Sequence, residues 1–292
     1  MFGVHEIFVL ISEVVLSAYP SLIKLTDAGL IYQVGLRMFV FAGMAAVAGF
    51  ITGNPLSPAV FFTKETIATG LLNLLHVGTS YIGFDQLAGG NAMALFYTYP
   101  VWNIIGAALA FGEKIQLSAL PWIGVALAGA IALAQPTRQS WTAIGVIAAL
   151  LAALTETGIY LWFRSHGESE GKDKDEPWTK MTQMYGSSGL IWLVGVLIAA
   201  AVGFITSSAF QTKSLSTILL FNALVGFGGY ALRFYMIPKV STVLFSALSF
   251  FGIISAYLLG WIFSGESPSL LQAAGAAAII AANAVLVTKD TA

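Results

Sequence analysis

The chain contains no cysteine and few charged residues. The absence of cysteine among its 292 residues excludes disulfide and thiolate chemistry. Only 9% of the residues are charged, whereas 58% are hydrophobic, and the mean hydropathy is +0.84. A soluble domain has about 25% charged residues, and no aqueous fold could bury so much apolar surface. Because of this composition, the lipid bilayer is the expected environment. The net charge of -1 indicates no particular partner, and no nucleic acid, metal or cofactor is expected.

Long apolar segments follow one another along the whole chain. Nine of the 27 formal charges lie between Arg164 and Lys180, which leaves the rest of the sequence nearly free of charge. A segment of about 20 apolar residues can cross a bilayer as a helix, whereas barrel strands are about 10 residues long and alternate polar with apolar residues. The sequence therefore predicts an all-α integral membrane protein with ten transmembrane helices. The ten segments are 4–24, 30–52, 62–84, 89–110, 119–134, 140–164, 179–206, 215–236, 240–262 and 269–288.

Two short motifs occur twice, once in each half of the sequence. Phe111-Gly112-Glu113 returns as Phe263-Ser264-Gly265-Glu266, with the Gly-Glu pairs 153 residues apart. Ser12-Glu13 in the first apolar segment corresponds to Thr155-Glu156 in the sixth, 143 residues later. These matched pairs predict that the protein arose by duplication.

The duplication predicts two five-helix repeats, residues 1–138 and 139–292, with a charged cytoplasmic linker at 166–178. Because five is an odd number, the second repeat must enter the membrane in the opposite orientation to the first. In inverted repeats of this kind the substrate site lies near the midplane between the repeats, and access alternates as one half rocks against the other. The sequence therefore predicts a transporter, not an enzyme, that could complete its cavity as a monomer.

The distribution of lysine and arginine predicts the orientation, because cytoplasmic loops are enriched in both. When each cation is assigned to the nearest helix end, nine lie on one side of the membrane and four on the other. The nine are Lys64, Lys114, Arg164, Lys172, Lys174, Lys180, Arg233, Lys239 and Lys289, and the four are Lys24, Arg37, Arg138 and Lys213. Both termini are therefore expected in the cytoplasm of a multi-pass plasma (inner) membrane protein.

A series of motifs in the first half is typical of a known family. A mid-helix proline, a Gly-Glu pair at the helix end and a Gly- and Ala-rich helix occur as Tyr99-Pro100-Val101, Gly112-Glu113 and Gly124 to Gly129. The second half has Gly265-Glu266-Ser267-Pro268 and then Ala274 to Ala277, without the proline. Over nearly the whole chain these motifs resemble the EamA branch of the drug/metabolite transporter (DMT) superfamily. Within that branch the chain looks most like the YddG-type amino-acid exporters. The resemblance implies a ten-helix inverted-repeat fold with alternating access around a central cavity.

Five residues of these motifs are expected to have structural roles. The glycine of each Gly-Glu pair tolerates a tight turn. The carboxylates of Glu113 and Glu266 can accept hydrogen bonds from the exposed amides at the start of the next helix. Pro100 lacks an amide hydrogen and is expected to kink its helix.

Glu13 and Glu156 are the leading functional candidates. Each lies near the centre of its apolar segment, each follows a hydroxyl residue, and the repeat relates one to the other. A charge inside the membrane costs about 2–3 kcal/mol or more unless it is paired or hydrated. We expect the pair to bind a cation or ammonium group or to carry a proton; the alternative is a protonated glutamate hydrogen-bonded between helices.

The third apolar segment presents a polar face to its surroundings. Asn73, His76 and Ser80 are spaced three and four residues apart, with Tyr81 beside them, so they share one side of a helix. This face is expected to line the substrate cavity. His76 could carry or sense a proton near neutral pH, or it could simply form a hydrogen bond between helices.

Aromatic residues deep within two segments are candidates for the cavity wall. Tyr99 and Trp102 flank Pro100 inside the fourth segment, and Trp162 lies beyond Glu156 on the sixth, nearer the interface. Aromatic faces can hold an ammonium group by cation–π attraction and an apolar side chain by burial. On the eighth segment, Arg233 is expected to snorkel to the interface.

The scarcity of cations inside the membrane narrows the predicted substrate. Sugar phosphates require lysine or arginine, but only Arg37 is predicted to lie deep in a span. Two acids and several aromatics favour an aromatic or other neutral amino acid, exported across the inner membrane. The alternatives are a multidrug or quaternary-ammonium exporter, in which Glu13 and Glu156 exchange protons for cations, and another metabolite carrier of the superfamily. A remote alternative is a rhomboid-like intramembrane protease, with Gly186-Ser187-Ser188-Gly189 as the nucleophile motif and His76 as the base.

Overall fold

The computed structural model describes residues 3–19, 26–53, 58–87, 89–115, 117–135, 141–165, 177–264 and 269–290. Within these ranges the chain is helical and contains no strand. The α-helices are α1 Val4–Leu16, α2 Leu30–Ile51, α3 Lys64–Gln86, α4 Gly89–Phe96, α5 Tyr99–Phe111, α6 Leu120–Ala134, α7 Ala143–Ser165, α8 Pro177–Ala201, α9 Leu215–Leu220, α10 Gly228–Met236, α11 Thr242–Ser249, α12 Phe251–Ser264 and α13 Leu270–Asp290. A π-helix, Phe221–Phe227, joins α9 to α10, and 3-10 turns occupy Pro58–Phe62, Ser207–Phe210 and Ile237–Lys239.

Eight spans in the described part of the chain are long and apolar enough to cross a membrane. The spans are Leu30–Ile51, Lys64–Gln86, Asn91–Phe111, Ala143–Ser165, Pro177–Ala201, Leu215–Lys239, Thr242–Leu259 and Leu270–Thr288. The helix α6 is apolar but shorter, with 15 residues, and α1 has 13. Large apolar side chains such as Leu109 and Leu270 are more than 80% exposed on the outer surface, as expected where lipid is the solvent. The chain is therefore a multi-pass helical membrane protein, as the sequence predicts.

Two of these spans are interrupted near their middle. In the fourth apolar segment α4 ends at Phe96 and α5 begins at Tyr99, after a turn at Tyr97 and Thr98. The sequence predicts a kink at Pro100, and Pro100 lies directly after this break, in the first turn of α5, where it has no amide hydrogen to donate to the carbonyl oxygen of Phe96. In the ninth segment the break falls at Phe250, between α11 and α12, without a proline.

The observed ends of α5 and α8 agree only in part with the turn and the linker that the sequence predicts. Gly112 ends α5 in the left-handed conformation, with φ of 68°, which confirms the expected tight turn after the helix. The predicted linker 166–178 is too long at its end, because α8 begins at Pro177 and therefore includes Trp178. A proline is favourable in the first turn of a helix because its fixed φ suits the helix and its missing amide hydrogen is not needed there.

Close helix packing brings the two halves of the chain together. Helix α3 packs along α7 and α8, α2 along α8, α1 along α10, and α6 along α13. At the α6–α13 crossing, a Cβ atom added to Gly129 would lie 2.7 Å from the carbonyl oxygen of Gly275, and one added to Gly275 would lie 2.6 Å from that of Gly129. Small residues thus let the two backbones approach each other directly.

Candidate functional site

A cavity lies inside the helix bundle. Its empty volume is about 630 Å³, a figure that includes space open to the outside of the protein. Helices α1, α2, α3, α4, α5, α7 and α10 contribute its lining. Five of the lining side chains carry an acidic or basic group: Glu13, Arg37, His76, Glu156 and Arg233. Most of the remaining wall is aromatic: Tyr19, Tyr81, Phe84, Phe96, Tyr97, Tyr99 and Tyr230. The cavity is thus a charged and aromatic pocket within a membrane protein.

An ionic cluster joins four helices at one end of this cavity. One terminal nitrogen of Arg233 on α10 contacts Glu13 Oε1 on α1, and the other lies 2.9 Å from Glu156 Oε1 on α7. His76 on α3 completes the cluster, with its Nε2 atom 3.2 Å from Glu156 Oε2. Each of the four residues is at most 3% exposed. The two glutamates that the sequence pairs by repetition are therefore held by one shared arginine.

The surroundings of His76 determine how its ring is protonated. Its Nδ1 atom lies 3.2 Å from the carbonyl oxygen of Ala152, which can only accept a hydrogen bond, so Nδ1 carries a hydrogen. Nε2 faces Glu156 Oε2 at 3.2 Å. His76 and Arg233 therefore place two basic side chains against Glu156.

Arg233 lies in the interior of the bundle, and the prediction that it snorkels to the interface is wrong. Its side chain is 4% exposed, and its guanidinium carbon lies 5.2 Å from the centre of the Tyr99 ring. The physical reason is that Glu13 and Glu156 replace the water that an arginine otherwise seeks. The sequence gives no sign of this pairing, because Glu13 and Arg233 are 220 residues apart.

Arg37 is the second buried cation of the cavity and lies in an aromatic box. Its guanidinium carbon is 4.6 Å from the ring centre of Tyr19, 4.7 Å from that of Tyr230 and 5.3 Å from that of Phe41. The residue is 2% exposed. Among the described residues, none accepts a hydrogen bond from its Nε or Nη2 atoms, and no carboxylate forms an ion pair with it. The sequence places Arg37 deep in a span but does not indicate that the residue belongs to the site.

Six of the nine predicted substrate-binding residues line the cavity: Glu13, His76, Ser80, Tyr81, Tyr99 and Glu156. Three do not. Asn73 donates a hydrogen bond to Ser188 Oγ at 2.9 Å, between α3 and α8. Trp102 is 40% exposed. Trp162 donates a hydrogen bond of 2.9 Å to Glu65 in the first turn of α3. Helical periodicity alone could not separate these residues from the lining, because it does not say which face of a helix meets which neighbour.

The side chains of the protease alternative do not form a catalytic pair. Ser188 donates to the carbonyl oxygens of Gly70 and Met184, at 2.9 and 2.6 Å, and accepts from Asn73. The ring nitrogens of His76 instead face Ala152 and Glu156. The Gly- and Ser-rich motif of α8 therefore packs against α3.

Beyond the ionic cluster, contacts between helices close one end of the cavity. We call this the Arg164 end. Tyr160 donates a hydrogen bond of 2.9 Å to Thr242, and the rings of Phe163 and Phe234 stack with their centres 4.0 Å apart. None of these four residues lines the cavity, which extends from Glu13 and Glu156 in the opposite direction.

Arg164 ties three elements together at this end. Its Nε atom donates to Glu113 at 3.0 Å, and Nη1 donates to the carbonyl oxygens of Ile237 and Val240 at 3.1 and 2.8 Å. The prediction that Glu113 caps the next helix is thus replaced by an ion pair with α7. The corresponding prediction for Glu266 lies outside the described residues.

Asp27 lies at the opposite end and connects the segment before α2 to the segment before α9. Its carboxylate accepts hydrogen bonds from Thr212 Oγ1 at 2.5 Å and from the Lys213 and Ser214 amides at 2.9 and 3.3 Å. These bonds, that from Thr212 above all, hold the pKa of the Asp27 carboxyl well below its usual range. Asp27 therefore stays ionised at physiological pH.

The positions of Tyr99 and Trp102 lead to a prediction about the fourth span. Tyr99 is buried and lines the cavity, whereas Trp102 is outside it. We expect Tyr99→Leu to raise the apparent KM of uptake by about tenfold, which corresponds to about 1.4 kcal/mol of lost contact, and Trp102→Leu to change it by less than about twofold. Uptake into proteoliposomes, with the thermal stability of both variants measured alongside, is the test. A larger effect of Trp102→Leu would show that the cavity wall is wrongly assigned.

Comparison with known proteins gives the fold. No protein-family model matches the chain, and a comparison with curated proteins finds no match either. A solved structure, described only as the crystal structure of a protein, is similar to it with a TM-score of 0.76 and 14% sequence identity, and covers 99% of this chain and 99% of that chain. A likeness at this level of identity shows the overall fold alone.

Proposed function

We propose that the protein is a secondary transporter that moves a small metabolite across the inner membrane by alternating access. The observation that carries this proposal is the ionic cluster of Glu13, His76, Glu156 and Arg233 beside a cavity inside a membrane bundle. Ionisable residues are expensive inside a membrane and are found there on substrate, ion or proton pathways. A merely structural bundle could pack with apolar residues at these positions.

An inverted repeat of ten helices is part of the proposal, and two features support it. The fourth apolar segment of each proposed half is broken near its middle, at Tyr97–Thr98 and at Phe250. The packing also pairs corresponding helices, since α3 packs on α7 as α10 packs on α1. Discontinuous helices in matching positions of two halves are typical of transporter binding sites. Membership of the EamA branch of the DMT superfamily, proposed from the sequence motifs, agrees with this arrangement.

An amino acid with an aromatic or other neutral side chain is the proposed substrate. The aromatic wall offers apolar contact for such a side chain. The alternative of a quaternary-ammonium exporter loses its main support, because Glu13 and Glu156 are both within contact of Arg233. Neither carboxylate is free to bind a permanent cation unless the cluster breaks.

The membrane orientation predicted from the sequence indicates which state of the proposed transport cycle this conformer represents. The Arg164 end carries most of the cations and is therefore the proposed cytoplasmic side. Phe163, Phe234 and Arg164 close that side, so the cavity of this conformer belongs to an outward-facing or occluded state.

Uptake into proteoliposomes tests the proposed function. The radiolabelled panel contains phenylalanine, leucine, lysine, glutamate, a quaternary amine and a sugar phosphate, with protein-free liposomes as the control. We expect saturable uptake of phenylalanine and leucine. Uptake of the quaternary amine alone would support the multidrug alternative, and no saturable uptake of any compound would contradict a transporter of small metabolites.

A further inference from the structure

We infer that Arg37 is the binding site for a carboxylate group of the substrate. The proposed transport function gives this site its purpose, but the site itself is argued from the cavity. A site at Arg37 makes the carboxylate the part of the substrate that is required for binding. The sequence alone, with its two acids, instead favours recognition of the ammonium group.

The first argument is that polar atoms beside the cavity lack partners. Nε and Nη2 of Arg37 are buried, and within the described ranges no atom accepts a hydrogen bond from them. The hydroxyl of Tyr81 lies beside the same guanidinium. Both residues line the cavity. Buried polar groups in proteins are nearly always hydrogen-bonded, so unpartnered donors that line a pocket point to a ligand. Two guanidinium nitrogens and a hydroxyl match the acceptor oxygens of a carboxylate.

The second argument is the charge of the cavity. Glu13 and Glu156 both contact Arg233, and His76 faces Glu156, so the two acids of the cavity have their basic partners within the cluster. Arg37 therefore contributes one positive charge that no described carboxylate balances. A carboxylate group beside Arg37 would balance its charge locally, whereas an amine without a carboxylate would only add to it. A phosphate dianion would exceed what a single guanidinium balances.

The third argument is that the aromatic box holds Arg37 in place before a ligand arrives. Tyr19 lies against the guanidinium, and its hydroxyl donates a hydrogen bond of 2.5 Å to Asn222 Oδ1. Asn222 belongs to the π-helix and also donates to the carbonyl oxygen of Ile218 at 2.9 Å. π-helical turns are rare and are frequent at functional sites. The ordering of Arg37 therefore adds little to the cost of binding.

Four related ligands and the purified wild-type protein test the inference. The ligands are L-phenylalanine, 3-phenylpropionate, which lacks the amine, phenethylamine, which lacks the carboxylate, and phenyl phosphate. Isothermal titration calorimetry in detergent measures each affinity. We expect phenylalanine and 3-phenylpropionate to bind at least about tenfold more tightly than phenethylamine, as a charge-assisted hydrogen-bond pair implies. Equal or tighter binding of phenethylamine or phenyl phosphate, or no binding of either carboxylate, would overturn the inference.

Variants then identify the residue responsible. Arg37→Gln should weaken 3-phenylpropionate binding by about tenfold or more, and Arg37→Lys, which keeps the charge but not the forked geometry, should weaken it less. Lys213→Gln is the matched control, because it removes an exposed cation from the surface. Unchanged affinity in a folded Arg37→Gln variant would refute the role of Arg37. The ligand comparison on the wild type decides the question even if this variant does not fold.

The failure of this inference and the failure of the transport proposal are distinguishable. Carboxylate binding that depends on Arg37 without any uptake would retain the site and contradict transport. Saturable uptake that is equal for phenylalanine and phenethylamine would retain transport and contradict the carboxylate site.

Discussion

Replacing Arg233 with methionine is expected to destabilise the protein severely and to abolish transport. Arg233 contacts Glu13 and lies 2.9 Å from Glu156, and all three residues are buried. Methionine would fill much of the space but would leave Glu13 and Glu156 in a poorly hydrated site without the arginine that they share. Removing one partner of a buried ion pair typically costs about 3–5 kcal/mol. Detergent-micelle unfolding, followed by circular dichroism, and uptake into proteoliposomes measure the two effects.

A combined variant separates lost charge balance from lost packing. With Glu13→Gln and Glu156→Gln added to Arg233→Met, no buried carboxylate lacks a partner, and most of the stability should return because the desolvation penalty disappears. Transport should not return if the charged cluster is needed for the cycle. A single Arg233→Met variant that is within about 1 kcal/mol of the wild type would show that the cluster is not a buried ion pair.

The sequence predicts one side of this cluster and misses the other. Glu13 and Glu156 can be found because each is a carboxylate in an apolar segment and because repetition relates them. Arg233 is near the end of an apolar segment, where arginine commonly snorkels. Only the tertiary fold, which packs α10 against α1, reveals that its guanidinium points inward.

Arg37 illustrates a second limit of sequence analysis. Its depth in the second apolar segment is evident from the sequence, but its surroundings come from α1, α2 and α10. Whether a buried arginine has a carboxylate partner depends on every element packed around it. The distribution of charge in the cavity, and with it the expected substrate, therefore changes once the fold is known.

The helices themselves are predicted well, but the interruption at Phe250 is not. Segment length and continuous hydrophobicity determine where the spans lie, and most predicted bounds agree with the observed helices to within a few residues. The break at Phe250 is not marked by a proline, and Phe250 and its preceding residue Ser249 also suit an intact helix. The sequence predicts a structural role for Glu113 but not its partner, because Arg164 is 51 residues away.

A covalent link across the Arg164 end is expected to stop transport, because that end must open if access to the cavity alternates. Phe163 on α7 and Phe234 on α10 stack with ring centres 4.0 Å apart and are both buried. The chain has no native cysteine, so Phe163→Cys and Phe234→Cys introduce the only two thiols. A short bifunctional thiol reagent should join them and reduce the rate of uptake by more than about tenfold, equivalent to at least about 1.4 kcal/mol in activation free energy.

A second cysteine pair supplies the matched control for this experiment. Gln135 and Ser269 lie 2.5 Å apart, amide nitrogen to hydroxyl oxygen, and connect the ends of α6 and α13, neither of which lines the cavity. Linking Gln135→Cys to Ser269→Cys should leave uptake close to the wild-type rate, because the α6–α13 crossing already brings Gly129 and Gly275 into direct backbone contact. Each single-cysteine variant, treated with the same reagent, controls for modification without a link. Undiminished uptake by the fully linked Phe163→Cys/Phe234→Cys protein would mean that the Arg164 end does not open during transport, and alternating access through this end would have to be abandoned.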